Sequence, residues 1–218
     1  MIFKQGEIEI NMKNILYGIV TFAMSFAVNS SPIINGVGLS SPSSTITFDE
    51  FVLATGTSVD AQYSSLGVTF TPGLNYSPLG SAISFPGITG NHIGNFTNFS
   101  SASTVNPYSI FFTSNQTEAA IGYATSTPAQ STFSAFLGGV LVESFMEVTT
   151  YATTPSFYGF ENILFDEIRV QSNDVAIMDN IQFGNISNVP APPALWLIGS
   201  SLIGLIGMKR RTAKVSAL

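Results

Sequence analysis

Cysteine is absent from the 218 residues, which excludes disulfide frameworks, thiolate metal sites and cysteine nucleophiles. Charge is nearly as scarce: 9% of the chain is Asp, Glu, Lys or Arg, against about 25% in ordinary soluble domains. Histidine occurs once, at His92, within Asn91-His92-Ile93-Gly94. A single histidine builds neither a histidine metal site nor a serine triad with partners to spare, and its Gly/Asn-rich setting predicts a solvated loop residue. No P-loop, dinucleotide fingerprint or His-Glu-x-x-His zinc motif is present, and Gly36-Val37-Gly38 is an isolated fragment.

The few cations are placed at the ends. Lys4 and Lys13 precede residue 28, and Lys209, Arg210, Arg211 and Lys214 follow residue 208. Between 28 and 188 Arg169 alone stands against eleven acids, a formal charge of −10. That excludes a nucleic-acid groove, because phosphate neutralisation needs clustered Lys and Arg. Nucleic acid is therefore not an expected partner.

The chain begins with a short segment carrying Glu7 and Glu9, after which Met12-Lys13 opens an export signal. Ile15 to Val28 is uncharged, and Ser25-Phe26-Ala27 sets small residues at the spacing that signal peptidase requires. Residues 1–27 are thus read as an upstream segment and signal peptide, with Met12 the expected start. The run is too short for a stable membrane span, and a polar stretch, 28–44, follows as a linker. An uncleaved amphipathic start or a buried helix is the alternative.

At the other end, 185–193 is a linker closing on Val189-Pro190-Ala191-Pro192-Pro193. An uncharged helix over 194–208 follows, led by Trp196, with Gly199, Gly204 and Gly207 offering a small-residue face for helix packing. Lys209, Arg210 and Arg211 stop it, and 209–218 is a basic tail. Fifteen helical residues rise about 22 Å, short of the roughly 30 Å hydrocarbon core unless the proline segment contributes. The cationic cluster favours the cytoplasmic side and leaves the acidic body outside. An ordinary C-terminal anchor or a tail helix buried in the domain would account for the same residues.

Val189 to Arg211 resembles the PEP-CTERM sorting signal of exported bacterial proteins, a tripartite tail of proline motif, glycine-spaced apolar helix and arginine cluster. The match lies in Val-Pro-x-Pro, Leu-Trp-Leu-x-Gly-Ser and Gly-Leu-x-Gly-x-x-Arg-Arg, with Ala191 where the name-giving motif has Glu. The resemblance implies transient anchoring in the inner membrane, processing by an exosortase, and delivery to the surface or exopolysaccharide matrix of a Gram-negative bacterium.

Residues 45–184 are punctuated by Gly, Pro, Asn and Ser, with β-branched and aromatic runs between. Strands are expected at 45–48, 67–71, 82–85, 108–113, 119–123, 131–137, 140–145, 157–160, 167–171 and 177–183. Leu137-Gly138-Gly139-Val140 reads as a tight hairpin. The fold class is all-β: a single antiparallel β-sandwich, jelly-roll-like, between a signal helix and a transmembrane sorting helix. The eighteen Phe fill its core or else form an exposed binding face. This body is similar to the β-sandwich of many proteins carrying such a tail. The similarity lies in Thr47-Phe48-Asp49-Glu50 with Gln62 to Phe70, Ala135 to Val140 with Val142 to Phe145, Phe157 to Phe160 with Phe165 to Ile168, and Asp179 to Gly184. It implies a secreted module without a settled activity. The stretch 75–107 reads as loop.

Carboxylates are the remaining chemistry. If the first and last strands meet, Asp49 or Glu50 approaches Asp179, an oxygen-only set suited to a structural Ca²⁺. Solvated strand-end acids are the plainer reading. Asp166 and Glu167 are adjacent on a strand and point to opposite faces, so they do not make a glycosidase pair. Glu143 and Glu147 read as edge charges that deter aggregation. Tyr63, Tyr76, Tyr108, Tyr123, Tyr151 and Tyr158 either border the core or offer stacking platforms for sugars. The expectation is a non-enzymatic exported protein, with carbohydrate binding in an exopolysaccharide matrix as the alternative.

Overall fold

A computed structural model describes residues 31–78, 84–97, 100–152 and 154–185. The expected signal segment (1–27), the proline motif from Val189 to Pro193, the helix bearing Trp196, Gly199, Gly204 and Gly207, and the Lys209–Arg211 stop all lie outside them. Among the described residues no helix is long and apolar enough to cross a membrane.

The strands are β1 Ser31–Asn35, β2 Ser44–Ile46, β3 Ser58–Val59, β4 Val68–Phe70, β5 Leu74–Ser77, β6 Ser84–Phe85, β7 Ile88–Thr89 and β8 His92–Gly94. They continue with β9 Phe96–Thr97, β10 Ser100–Thr104, β11 Tyr108–Thr125, β12 Ala129–Leu137, β13 Val140–Thr149, β14 Phe157–Ser172 and β15 Ala176–Gly184. Eleven of them form one sheet in the order β13-β12-β14-β11-β15-β8-β5-β3, with β1 on β14, β2 on β15 and β4 on β11. The pairings within it are antiparallel, so the all-β expectation holds.

Two corrections follow. Part of the expected 28–44 linker is strand: Ser31–Asn35 pairs with Phe157–Glu161. The stretch 75–107, read as loop apart from the strand expected at 82–85, holds most of β5 and all of β6 to β10; β6 falls within 82–85, while the brevity and Gly-rich spacing of the others left no run long enough to show a period.

The runs expected as separate strands at 108–113 and 119–123 are one strand, as are those at 157–160 and 167–171. Both long strands are irregular in mid-course. The β11–β14 register shifts around Gln116, and Asn162 in β14 takes a left-handed φ of 63°. Before the break, β11 pairs with β4 and β14; after it, with β14 and β15. Likewise the first half of β14 carries β1 and the second half carries β12. Gly159 is required where β14 meets β11, since a Cβ there would collide with the Ala119 carbonyl oxygen.

Side chains from the two portions meet in an aromatic chain. Phe133 of β12 stacks on Tyr158 of β14 (centroids 5.0 Å) and on Phe145 of β13 (5.2 Å), while Tyr123 of β11 meets its edge (5.2 Å). The series runs on through Phe145–Phe160, Phe160–Phe165, Phe165–Phe112 and Phe112–Phe183. The Phe residues therefore serve chiefly as core, by offset and edge-on packing. The expected hairpin forms: Leu137 pairs with Val140, and Gly138 and Gly139 both take positive φ (56° and 79°), as a two-residue turn demands.

β13 ends the strand order, and Val142, Met146 and Val148 are exposed on it. Its alternation puts Glu143 and Glu147 on the inner side with Phe145, which packs against the core. Inward charges on an edge strand block sheet extension. A second copy pairing antiparallel about Phe145 would set Glu143 opposite Glu147 of that copy, and like charges so placed repel.

Two results are expected. Phe133→Ala removes the ring on which the stack turns and should cost about 3–5 kcal/mol in denaturant melts. The double variant Glu143→Val/Glu147→Val should self-associate in size-exclusion chromatography where the parent does not; unchanged elution would remove the edge-guard role.

Candidate functional site

The sequence places chemistry first at Asp49, Glu50 and Asp179. Ile46 of β2 pairs with Ile181 of β15, so the first and last runs do meet. After Ile46 the chain turns: Phe48 takes φ 58°, and Glu50 Oε1 accepts from Thr47 N (2.7 Å) and Thr47 Oγ1 (3.1 Å). The turn is held from beneath. Phe48 is fully buried against Tyr63 (centroids 5.1 Å) and Phe70 (5.9 Å), Tyr63 OH reaches the Phe48 carbonyl, and Tyr76 OH reaches that of Phe51. Thr47 to Glu50 and Gln62 to Phe70 are therefore one packing unit, separated in sequence and joined by rings.

Asp179 is fully buried. Its Oδ2 accepts from Thr89 N (2.8 Å) and Asn180 Nδ2 (3.0 Å), and its Oδ1 from Asn180 N (2.6 Å). Burial raises its pKa to about 7, the Thr89 and Asn180 hydrogen bonds oppose the rise, and the charges of Asp49 and Glu50 add to it. Tyr63 is pushed up likewise, by burial first and then by Glu50. The three carboxylates share a neighbourhood but do not form the expected calcium set. Asp49 Oδ1 accepts from Asn91 N and Asn91 Nδ2, Glu50 is turned onto Thr47, and Asp179 onto its own donors. Among the described residues no three of His, Cys, Asp and Glu are placed to hold a metal ion. One oxygen each of Asp49 and Glu50, and both of Asp179, are engaged by donors of the chain itself.

His92 lies in β8 and is buried, in contrast to the solvated loop position expected. Its Nδ1 lies 3.3 Å from the Gly90 carbonyl, its Nε2 has no partner, and burial lowers its pKa. Asp166 and Glu167 take separate partners, as expected of adjacent strand residues. Asp166 accepts from the hairpin nitrogen of Gly138, while Glu167 accepts from Ser109 Oγ (2.6 Å) and Arg169 Nη2 (2.8 Å). Arg169 also lies 4.2 Å over the Phe136 ring. The Glu167 contact holds the one cation among the described residues against its own strand, β14, and the Phe136 ring ties it to the neighbouring β12.

Two features have no local signal. Glu118 of β11 and Glu161 of β14 are cross-strand partners beside a cleft of about 340 Å³ lined by β1 and the segment after it. Burial, then the charge of Glu161, raises the pKa of Glu118. The row is longer than the pair. Ser31 faces Glu161, and Glu118 faces Gly184, so Ser31 and Gly184 lie in one row about 15 Å apart across four adjacent strands. The second feature is a hollow of about 380 Å³ between Phe85 and Tyr151, floored by Ala124, Val175 and Ile177 and bordered by Thr125 and Ser126. Of the six tyrosines considered as platforms, Tyr63, Tyr76, Tyr108, Tyr123 and Tyr158 are buried; Tyr151 is 44% exposed.

No protein-family model, curated protein or solved structure matches this chain.

The position of Asp179 fixes a sign. Its folded pKa lies above the ordinary 3.8, so the folded state keeps a proton that the unfolded chain releases. Stability from this group is complete below about pH 4 and is lost as pH rises toward 7. Asp179→Asn, uncharged throughout, should show a smaller fall in Tm between about pH 4.5 and 7.5 than the parent. Parallel Tm profiles would contradict the buried, proton-holding carboxyl.

Proposed function

We propose that this protein is a non-enzymatic exported surface or extracellular-matrix protein with a jelly-roll-like β-sandwich body. Signal peptidase removes the N-terminal segment. The C-terminal tail resembling PEP-CTERM holds the chain in the inner membrane until an exosortase processes it, and the product joins the surface or matrix of a Gram-negative bacterium. The observation that carries this reading is where the sheet ends. β15 ends at Gly184, so the last described strand is complete before the proline motif begins at Val189. The placement of Ser31 and Gly184 in one row further supports it: segments leading from them to one membrane would enter it side by side, with the acidic body on one side of them. The charge pattern agrees, since the described body carries one cation, already paired, and the basic cluster lies at Lys209–Arg211.

A second reading, a carbohydrate-binding module of the exopolysaccharide matrix, is favoured by one observation. The exposed Tyr151 ring packs on Phe85 above a hollow, the arrangement on which a sugar ring stacks.

The sorting reading is tested with the full chain in a host that carries an exosortase. Immunoblots should show the parent shortened. Deletion of Lys209–Arg211, or Pro190→Ala with Pro192→Ala, should accumulate the unprocessed form. Identical processing of all three would overturn it.

A further inference from the structure

We infer that the hollow between Phe85 and Tyr151 is a binding subsite for a neutral hexose unit of a polysaccharide; this rests on the carbohydrate-binding reading. At about 380 Å³ it falls within the roughly 300–1,000 Å³ of small-molecule sites. Its construction comes from three separate parts of the chain. Ala124 of β11 and Ile177 of β15 are direct cross-strand partners, so their side chains share a face and make the floor. Ala124 contributes only a methyl group there, which leaves room above it. Phe85 comes from β6, and Tyr151 follows the end of β13; their rings meet at 5.2 Å, inclined by 59°. The Phe85 ring thereby braces the Tyr151 ring, which keeps 44% of its surface free.

The chemistry of the lining selects the ligand. No described lining residue is charged. A pyranose has an apolar C–H face suited to an aromatic ring and a rim of hydroxyls that needs neutral partners. Ser126 is exposed, and its backbone nitrogen donates to the Val175 carbonyl, which fixes the residue at the rim. Thr125 Oγ1 donates to the Thr149 carbonyl at 2.6 Å, so this residue shapes the wall and offers no hydroxyl. Electrostatics excludes the acidic polysaccharides. The stretch 28–188 carries −10, and its one cation is committed to Glu167 and Phe136. A polyanion would approach a like-charged body with no cation free to receive it.

The test is affinity gel electrophoresis of the full chain in mild detergent, in gels containing dextran, laminarin, galactomannan or alginate. At least one of the three neutral polymers should retard the parent saturably, and alginate should not. Tyr151→Ala should weaken the retardation about tenfold, the loss of one stacked ring, while Tyr151→Phe stays within about threefold. Phe85→Ala should weaken it as well, with near-ultraviolet circular dichroism checking that each variant remains folded. Saturable binding unchanged in folded Tyr151→Ala and Phe85→Ala would overturn this subsite and leave the carbohydrate reading standing. Retardation by alginate equal to that by the neutral polymers would overturn the ligand class. Absence of retardation in all four gels would overturn the carbohydrate reading itself and the subsite with it.

Discussion

Because β11 and β14 pair on both sides of their breaks, each portion of the sheet has its position set by the other. The strands that leave those breaks take different neighbours, β4 and β12 at one end, β1 and β15 at the other. A single register error would therefore turn inward-facing rings outward in both portions at once, since side chains alternate with a period of two. The irregular residues around Gln116 and Asn162 absorb the shift of register, and Gly159 lets the two backbones approach where a side chain would not fit. The aromatic chain from Tyr123 through Phe133 to Phe183 is a consequence of this pairing. It is filled by rings because rings bridge the distance between facing strands with few rotatable bonds.

Charge follows the same economy of means. With one cation among the described residues, carboxylates are stabilised by N–H and hydroxyl donors: Glu50 by Thr47, Asp179 by Thr89 and Asn180, Asp174 by Thr127. Such bonds hold turns in place without a salt-sensitive ion pair. They also explain why the Asp49, Glu50 and Asp179 group is a structural corner. The motif that opens the body, Thr47-Phe48-Asp49-Glu50, is a turn signal whose polar residues close the loop and whose Phe48 enters the core.

Much of this was legible in the sequence where the cause is local. The Gly138-Gly139 hairpin, the strand bodies of β4, β12 and β15, the approach of the first and last runs, and the edge-strand placement of Glu143 and Glu147 all follow from alternation and turn chemistry. What escaped has causes far apart in the chain. The interior of β11 around Asn115 and that of β14 around Asn162 have turn composition, yet pairing on both sides keeps them in strands. His92 has polar neighbours in sequence and buried neighbours in space. Ser31–Asn35, Ser-Pro-Ile-Ile-Asn, is too short and too Pro-interrupted to announce a strand; the Phe157–Glu161 edge recruits it. Glu118 and Glu161, or Phe85 and Tyr151, meet only through register and packing, which no window along the chain contains.

The exit at Gly184 also decides how the body bears a load. β15 is hydrogen-bonded to β11 on one side and to β2 and β8 on the other, and those bonds run across the strand axis. Tension drawn along β15 away from Gly184 therefore loads the bonds together, in shear, where a pull at right angles would open them one after another. A body tethered through that end to a surface under flow would resist drag with its longest-range pairing and yield last at the strand that holds it.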